Sequence, residues 1–545
     1  MTHQLATAGR RKPRSRPRIR LSQLLQAVLI LLVVALGSVL RLHNVAATPG
    51  LYSDEGTLLN ISHNLLSGRW QYLALTQSTL IAARLPLFPA LLAISARLFG
   101  EGVATLRVLT GLLGVVSIAL VYVLVRVMSL PRAREYALLA ALVLAIHPNA
   151  VAYSRLGFSY NLLTPLVLLT CAAAWRFVND GRHRYVVLAG LLVGLGTVSD
   201  LVMLTVMAPL LIIASSRGWR PTLKLTAASA VFPIAYLIYM LASAPAAFLF
   251  DLQFTTSRAS ALPAIMQLPI AVVNLGGLLR WDPWFIPAII GLFMIQPMRA
   301  RWFLLLSLAL PLLLIARSVV GLPLRAYHYL IPFLPLAAIG TACLLLRGVS
   351  VVAQTFHTGM ARLLAAWKRT GAGPGASWIE ARLQHLSGAL AVFLFVVSPF
   401  LVSALVTLGD IQTELRTPVH ELLVDQDQAQ EVAEYLNRRT AADDLVIASP
   451  AIAWLLEARV ADFQQALAFQ GLATAHFPAR IPAERFAYPP SPDRARFVVI
   501  DPIWRNWATL VMPDVAELVS EVETWPVEFV AGEISVYANP ALRPR

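Results

Sequence analysis

Apolar runs of about 20 residues recur along the first 410 positions, each long enough to cross a ~30 Å hydrocarbon core. They fall near residues 22–40, 104–126 and 135–150, and so on to a last run near 387–408. A run at 80–98 differs. It carries Arg84, Pro86, Pro89 and Arg97, and reads as a juxtamembrane or re-entrant helix. The links between runs are short and basic, as at Arg126 to Arg134, Arg176 to Arg184, Arg217 to Lys224 and 347–384. Basic links belong on the cytoplasmic side. Alternation then predicts about 11 spans, a cytoplasmic N-terminus and an extracytoplasmic C-terminus. The loop 246–282 is expected as a long outer loop. The first run is too long and too rich in Leu and Val for a cleaved signal, and is read as a retained helix.

The pattern changes after residue 410. Residues 426–439 have the spacing of an amphipathic helix. Asp444 to Ser449, Arg496 to Asp501 and Glu533 to Tyr537 read as strands, the second followed by Pro502. The fold class is therefore an α-helical polytopic membrane protein with outer juxtamembrane helices and a C-terminal soluble α/β or α+β domain. The expected division is a basic cytoplasmic arm (1–21), a membrane domain (22–410) and an extracytoplasmic domain (411–545). The tail is long enough to bury its own core.

Composition agrees with this class. Of 545 residues, 58% are hydrophobic and 13% charged, with a mean hydropathy of +0.68. The net charge of +15 does not point to nucleic acid, because the bases lie in short links and in the Arg-rich arm before residue 21. That arm also suits anionic headgroups. Cys171 and Cys343 both sit in apolar runs, which excludes a disulfide framework or Cys metal site in the tail.

The acids are distributed unevenly. Nineteen of the 29 lie after residue 410, leaving ten against 33 Lys and Arg before it. Two of those ten are adjacent, Asp54 and Glu55, just past the first span. Carboxylates beside a bilayer are costly and mark candidate functional sites. The other loops expected on that side offer Arg84, then Tyr153, Arg155, Tyr160 and Asn161, then Asp200, then Arg325, Tyr327 and His328. Arginines beside a carboxylate suit a lipid phosphate held by bidentate forks, with the acid taking a proton from an incoming hydroxyl or amine. Plainer readings stand beside this one. Asp54 reads also as a helix N-cap, the arginines as snorkelling anchors, and the tyrosines as an aromatic belt. His328 alone reads as a packed histidine, and Asp200 as the partner of a neighbouring Arg. A transporter or lipid flippase and a non-enzymatic envelope scaffold remain the competing classes. A transporter predicts charges at mid-membrane and a repeat between halves, and here the charges cluster at span ends.

The order of these features resembles the GT-C polyprenyl-phosphate-sugar-dependent glycosyltransferases. It is most similar to the dolichyl-phosphate-mannose–protein mannosyltransferases and the lipid A aminoarabinose transferases. The matching pieces are Asp54-Glu55, Arg84-Leu-Pro86-Leu-Phe88, Phe99-Gly100 with Arg107, Tyr153-Ser154-Arg155, Gly190 through Gly196, and Arg325-Ala-Tyr327-His328-Tyr329-Leu-Ile-Pro332. They cover about residues 22–345. The resemblance implies an inverting sugar transfer from a polyprenyl-phosphate donor to an acceptor that is a protein, glycolipid or wall polymer, and the basic arm with no organelle-retention signal favours the plasma membrane. It implies Asp54 as the catalytic base, with Glu55 beside it and Arg84 near the donor phosphate. Two departures stand out. Arg84 and Leu85 replace the family's His or Lys and its first proline. Tyr160-Asn161 stand where some relatives carry a second acid, which argues against a divalent metal held by two acidic loops. The tail resembles no module of the eukaryotic enzymes.

Overall fold

The computed structural model describes residues 21–77, 85–259, 264–317, 327–368, 390, 398–413 and 422–542. The first apolar run forms α1 (Leu21–Leu42). A short link leads to α2 (Ser53–Leu66), whose first turn carries Asp54 and Glu55, where anions complement the helix dipole. A two-stranded hairpin follows, β1 (Gln71–Tyr72) and β2 (Leu75–Thr76). The run at 80–98 yields α3 (Leu87–Phe99), 13 residues long. At 1.5 Å per residue it reaches about 20 Å, too short to span.

The core of the membrane region is built from α4 (Val103–Met128), α5 (Ala133–Ile146), α6 (Pro148–Arg155) and α7 (Tyr160–Asp180). The α5–α6 pair bends by 56° at His147-Pro148. A proline there cannot continue the ladder of α5, but is well placed at the first position of α6. The chain goes on through α8 (His183–Thr197), a 3₁₀ turn at Leu201–Val206, α9 (Met207–Ser215) and α10 (Trp219–Ser243). Next come α11 (Pro245–Ala259), α12 (Ala264–Trp281), α13 (Phe285–Phe293), α14 (Met298–Ala316) and α15 (Leu334–Lys368). The segment expected as a long loop, 246–282, is thus largely helical. One continuous apolar cluster runs from Val33 to Cys343.

Among the described residues, six helices are long and apolar enough to cross a membrane, or seven if α5 and α6 form one bent span. The count expected from apolar runs was about eleven. The difference has a geometric cause. Several runs are divided into helices of 15 residues (α8) or nine (α9, α13), which cover only part of the hydrocarbon thickness. The expected last span near 387–408 is described at residue 390 and from Ser398, within a helix Ser398–Thr413.

The C-terminal region carries a five-stranded mixed sheet in the order β4-β3-β5-β7-β6. β3 (Leu445–Ile447), β4 (Arg459–Ala461) and β5 (Ala495–Ile500) are parallel. β6 (Val527–Ala531) and β7 (Ile534–Ala538) are antiparallel, β7 closing against β5. The amphipathic helix is Gln426–Arg439, capped by Asp425 through the Gln428 amide at 2.9 Å.

This region grips the segment between α1 and α3. Leu51 and Val424 exchange backbone hydrogen bonds of 2.6 and 2.8 Å. Leu75 bridges Phe486, and the Ala487 amide donates to the Ala74 carbonyl at 2.8 Å. Tyr72 Oη donates to Asp462 Oδ2 at 2.8 Å, and Gln465 Nε2 to the Tyr72 carbonyl at 3.0 Å. Arg485, almost fully buried, pairs with buried Asp251 of α11 at 3.1 Å. A Cβ added to Gly56 would collide with the Pro450 carbonyl. Only glycine lets α2 lie this close to the helix Pro450–Ala453.

Candidate active site

Glu55 is fully buried, and both of its oxygens are committed. Oε1 accepts from Arg107 Nε at 2.7 Å and from the Gly157 amide at 2.8 Å. Oε2 accepts from Arg107 Nη2 at 2.7 Å and from the Tyr52 amide at 3.0 Å. The last of these closes half a capping box on α2. Arg107, equally buried, donates further to the carbonyls of Val45, Pro49 and Gly50. One bidentate ion pair thus fastens the start of α2 to α4, to the link from α1, and to the α6–α7 turn. Gly157 matters here because a side chain would strike Leu106 and crowd Glu55.

Asp54, the next carboxylate, is half-buried in the same first helical turn. Its backbone is held by its neighbour's four bonds. Across from it the α6–α7 turn is pinned by Asn161, whose Nδ2 lies 3.0 Å from the Tyr153 carbonyl and 3.1 Å from that of Phe158. Arg155 is buried and donates to the carbonyls of Leu40, His43 and Thr48 and to the Thr48 hydroxyl, at 2.7 to 3.3 Å. Its guanidinium therefore ties off the C-terminal end of α1.

An aromatic group joins these parts. Tyr52 packs on Phe158 with ring centroids 5.3 Å apart, and Phe158 stacks on His328 at 5.4 Å. Tyr160 meets His328 and Tyr329 at 5.0 and 4.9 Å. Tyr153 stacks on Tyr327 at 5.2 Å. Tyr153 is fully buried, and its hydroxyl has no hydrogen-bond partner among the described residues. A buried donor left unpaired is costly and suits a ligand that would accept from it. Asp200 caps the 3₁₀ turn through the Val202 amide at 2.8 Å. The adjacent Val198 carbonyl accepts from the Leu87 amide at 3.1 Å, which ties the start of α3 to this neighbourhood. Arg84 and Arg325 lie outside the described residues.

A further acid was not singled out by the sequence. Asp282 is buried at the α12–α13 junction, where Oδ2 accepts from Tyr327 Oη at 2.5 Å and lies 3.5 Å from His147 Nε2. Its only sequence signal is that it is one of the ten acids before residue 411. Among the described residues, no three His, Cys, Asp or Glu side chains gather as metal ligands.

The family model for dolichyl-phosphate-mannose-protein mannosyltransferase matches residues 83–246, which include α3 to α10 but not Asp54. No curated protein matches the sequence. Among solved structures, ArnT from Cupriavidus metallidurans bound to undecaprenyl phosphate superposes with a TM-score of 0.57 at 15% identity, over 96% of this chain and 99% of that one. Its apo form gives 0.57 and 15% over 95% and 98%. The oligosaccharyltransferase of Archaeoglobus fulgidus tethered to an acceptor peptide gives 0.52 at 14%, over 90% and 72%. At these identities the likeness is one of fold, and it extends through the C-terminal mixed sheet.

Proposed function

We propose that this chain, whose residues 83–246 match the family model for dolichyl-phosphate-mannose-protein mannosyltransferase, transfers a sugar from a polyprenyl phosphate to an extracytoplasmic acceptor with inversion, using Asp54 as general base. The observation that supports this most is the Glu55–Arg107 pair. It fixes the first turn of α2, and with it Asp54, against the aromatic turn 153–160. A base must be held in one place to accept a proton in the transition state.

The step is a single displacement. An acceptor hydroxyl or amine attacks the anomeric carbon, and its proton passes to Asp54. The bond from that carbon to the phosphate oxygen breaks, and its electron pair leaves with the polyprenyl phosphate. Arg84 and Arg325 are the cations proposed to hold that charge, with the unpaired Tyr153 hydroxyl as a neutral donor. Glu55, Arg107, Arg155 and Asn161 are positioning residues on this reading. Asp200, Tyr160, Tyr327 and His328 are proposed to shape the walls. The bound ArnT relative is described with undecaprenyl phosphate, which is the chemistry of the leaving group proposed here. Residues 1–21, 22–410 and 411–545 are proposed as cytoplasmic arm, membrane domain and extracytoplasmic domain.

The test is Asp54→Asn in envelope membranes that carry the acceptor, measuring release of polyprenyl phosphate from its sugar. Asn keeps the size and capping ability of Asp but takes no proton. The rate should fall about 10²–10⁴-fold while donor-lipid binding persists. A wild-type rate would remove Asp54 from the chemistry.

A further inference from the structure

On the face of α2 turned away from Asp54 lies an open cleft of about 540 Å³, between α2, β1, α3 and the segment 454–460. His63 lines it. Nine residues separate His63 from Asp54, which is two and a half helical turns, so the two point to opposite sides of the helix about 13 Å apart along its axis. A second cavity of about 380 Å³ continues over the C-terminal region. The two share Arg459 and Tyr488 in their linings, so they adjoin at that pair.

The lining has a distinct chemistry. The Arg459 guanidinium lies 5.6 Å from the centroid of the Tyr488 ring. Tyr488 is fixed because its hydroxyl donates to the Val460 carbonyl at 2.7 Å and accepts from the Val460 amide at 3.2 Å. Arg69, just past the end of α2, lines the same cleft as Tyr488. Arg69, Glu457 and Arg494 are exposed, and among the described residues no ion pair or hydrogen bond engages their side chains. Asp443 lines the second cavity and is likewise exposed, whereas His63 lies 2.7 Å from Glu101 and Arg496 pairs with Asp444 at 2.5 Å. Cations and carboxylates are thus interspersed around a rigid aromatic ring. A phosphate-rich ligand would meet the carboxylates unfavourably, and an acyl chain would meet too many charges. A polyhydroxylated chain offers donors and acceptors at every unit and matches planar groups of both kinds. The volume is in the range of sites for small extended ligands.

We propose that this groove is a second, non-catalytic saccharide-binding site, built for an extended glycan strand that crosses the Arg459–Tyr488 pair. It does not depend on Asp54 chemistry. In the glycosyltransferase reading, it would hold a remote part of a glycan while another part reacts.

The probes are soluble linear oligosaccharides of the gluco-, manno- and N-acetylglucosamine series, from dimer to hexamer, titrated against the full-length protein in nanodiscs. At least one series should bind, and more tightly as it lengthens. Arg459→Ala and Arg69→Ala remove exposed side chains, and each should weaken binding about tenfold or more with no change in melting temperature. Asp54→Asn should bind these sugars as the parent does, so loss of transfer and loss of groove binding are read separately. Three results would overturn the proposal. No series binds at millimolar concentration; binding survives in the double arginine variant; or the same variants abolish binding of phosphatidylglycerol vesicles and of no sugar, which would make the groove a headgroup site.

Discussion

Replacing Glu55 with Gln tests whether this residue positions or reacts. Each Glu55 oxygen accepts one Arg107 N–H and one backbone N–H. Gln turns one oxygen into an amide donor that faces two donors. Two bonds are lost, one of them charge-assisted, and Arg107 is left buried without a counter-charge. Breaking a buried ion pair costs about 3–5 kcal/mol. Arg107 keeps its bonds to the carbonyls of Val45, Pro49 and Gly50, so the low end, about 3 kcal/mol, applies. That raises local opening of the α1–α2 link on the order of a hundredfold. Hydrogen exchange reads this directly at the amides of Leu51, Val424 and Gly157, all of which are bonded across the junction. Exchange there should accelerate on that scale, and sugar transfer should drop with it. In Asp54→Asn, exchange should stay at the parental rate while transfer is lost. If Glu55→Gln abolished transfer and left those three amides unchanged, Glu55 would belong to the chemistry and the positioning argument would fail.

Two other outcomes follow from the C-terminal region. Burial pushes the carboxyls of Asp462 and Asp501 up to about 6, against the partial relief of their hydrogen bonds. A carboxyl whose folded value is raised binds more protons in the folded state, so its share of stability is present below about 3.8 and is lost as pH rises to about 6. Each contributes up to about 3 kcal/mol on this scale, and Asp462→Asn should flatten its part of the stability–pH slope between pH 4 and 7, measured by chemical unfolding. Arg485→Ala removes the buried ion pair with Asp251 and the bonds to the Thr76 and Ala247 carbonyls. It should loosen the β1–β2 hairpin by about 3–5 kcal/mol, seen as faster exchange at Ala487 and Ala74, and unchanged exchange there would refute the clasp.

Local pattern carried much of the fold. That the run at 80–98 gives no full-length span showed in its prolines and arginines, and the helix Gln426–Arg439 in its spacing. β3, β5 and β7 showed as apolar strands. β4 is three residues that open on an exposed Arg459, unlike the wholly apolar β3, and β6 is mostly exposed, so neither has a readable period. The helices α11 and α12 were missed because Pro245 and Pro269 and scattered polar residues break the apolar run that would mark a span. At the site, Asp54 and Glu55 were visible as acids in the wrong place. What divides them was not. The partner of Glu55 is 52 residues away on another helix, and Arg107 taken alone is one more arginine near a helix start. Arg155 and Asn161 showed only their polarity, while the carbonyls they hold belong to other segments. The group of Asp282, Tyr327 and His147 joins three distant stretches, and no spacing announces it.

The contact between Gly56 and the Pro450 carbonyl also sets a timetable. Its two sides are about 400 residues apart, and a ribosome adds about 5–20 residues per second. The helix that carries Asp54 therefore waits on the order of 20–80 s for the surface that seats it. Until then Leu51 lacks Val424, and β1–β2 lacks both Gln465 and Arg485. A nascent chain, or a fragment that stops short of residue 424, holds Asp54 without the contacts that seat its helix. The contacts that seat α2 therefore form late in synthesis, once the chain has been made past Pro450.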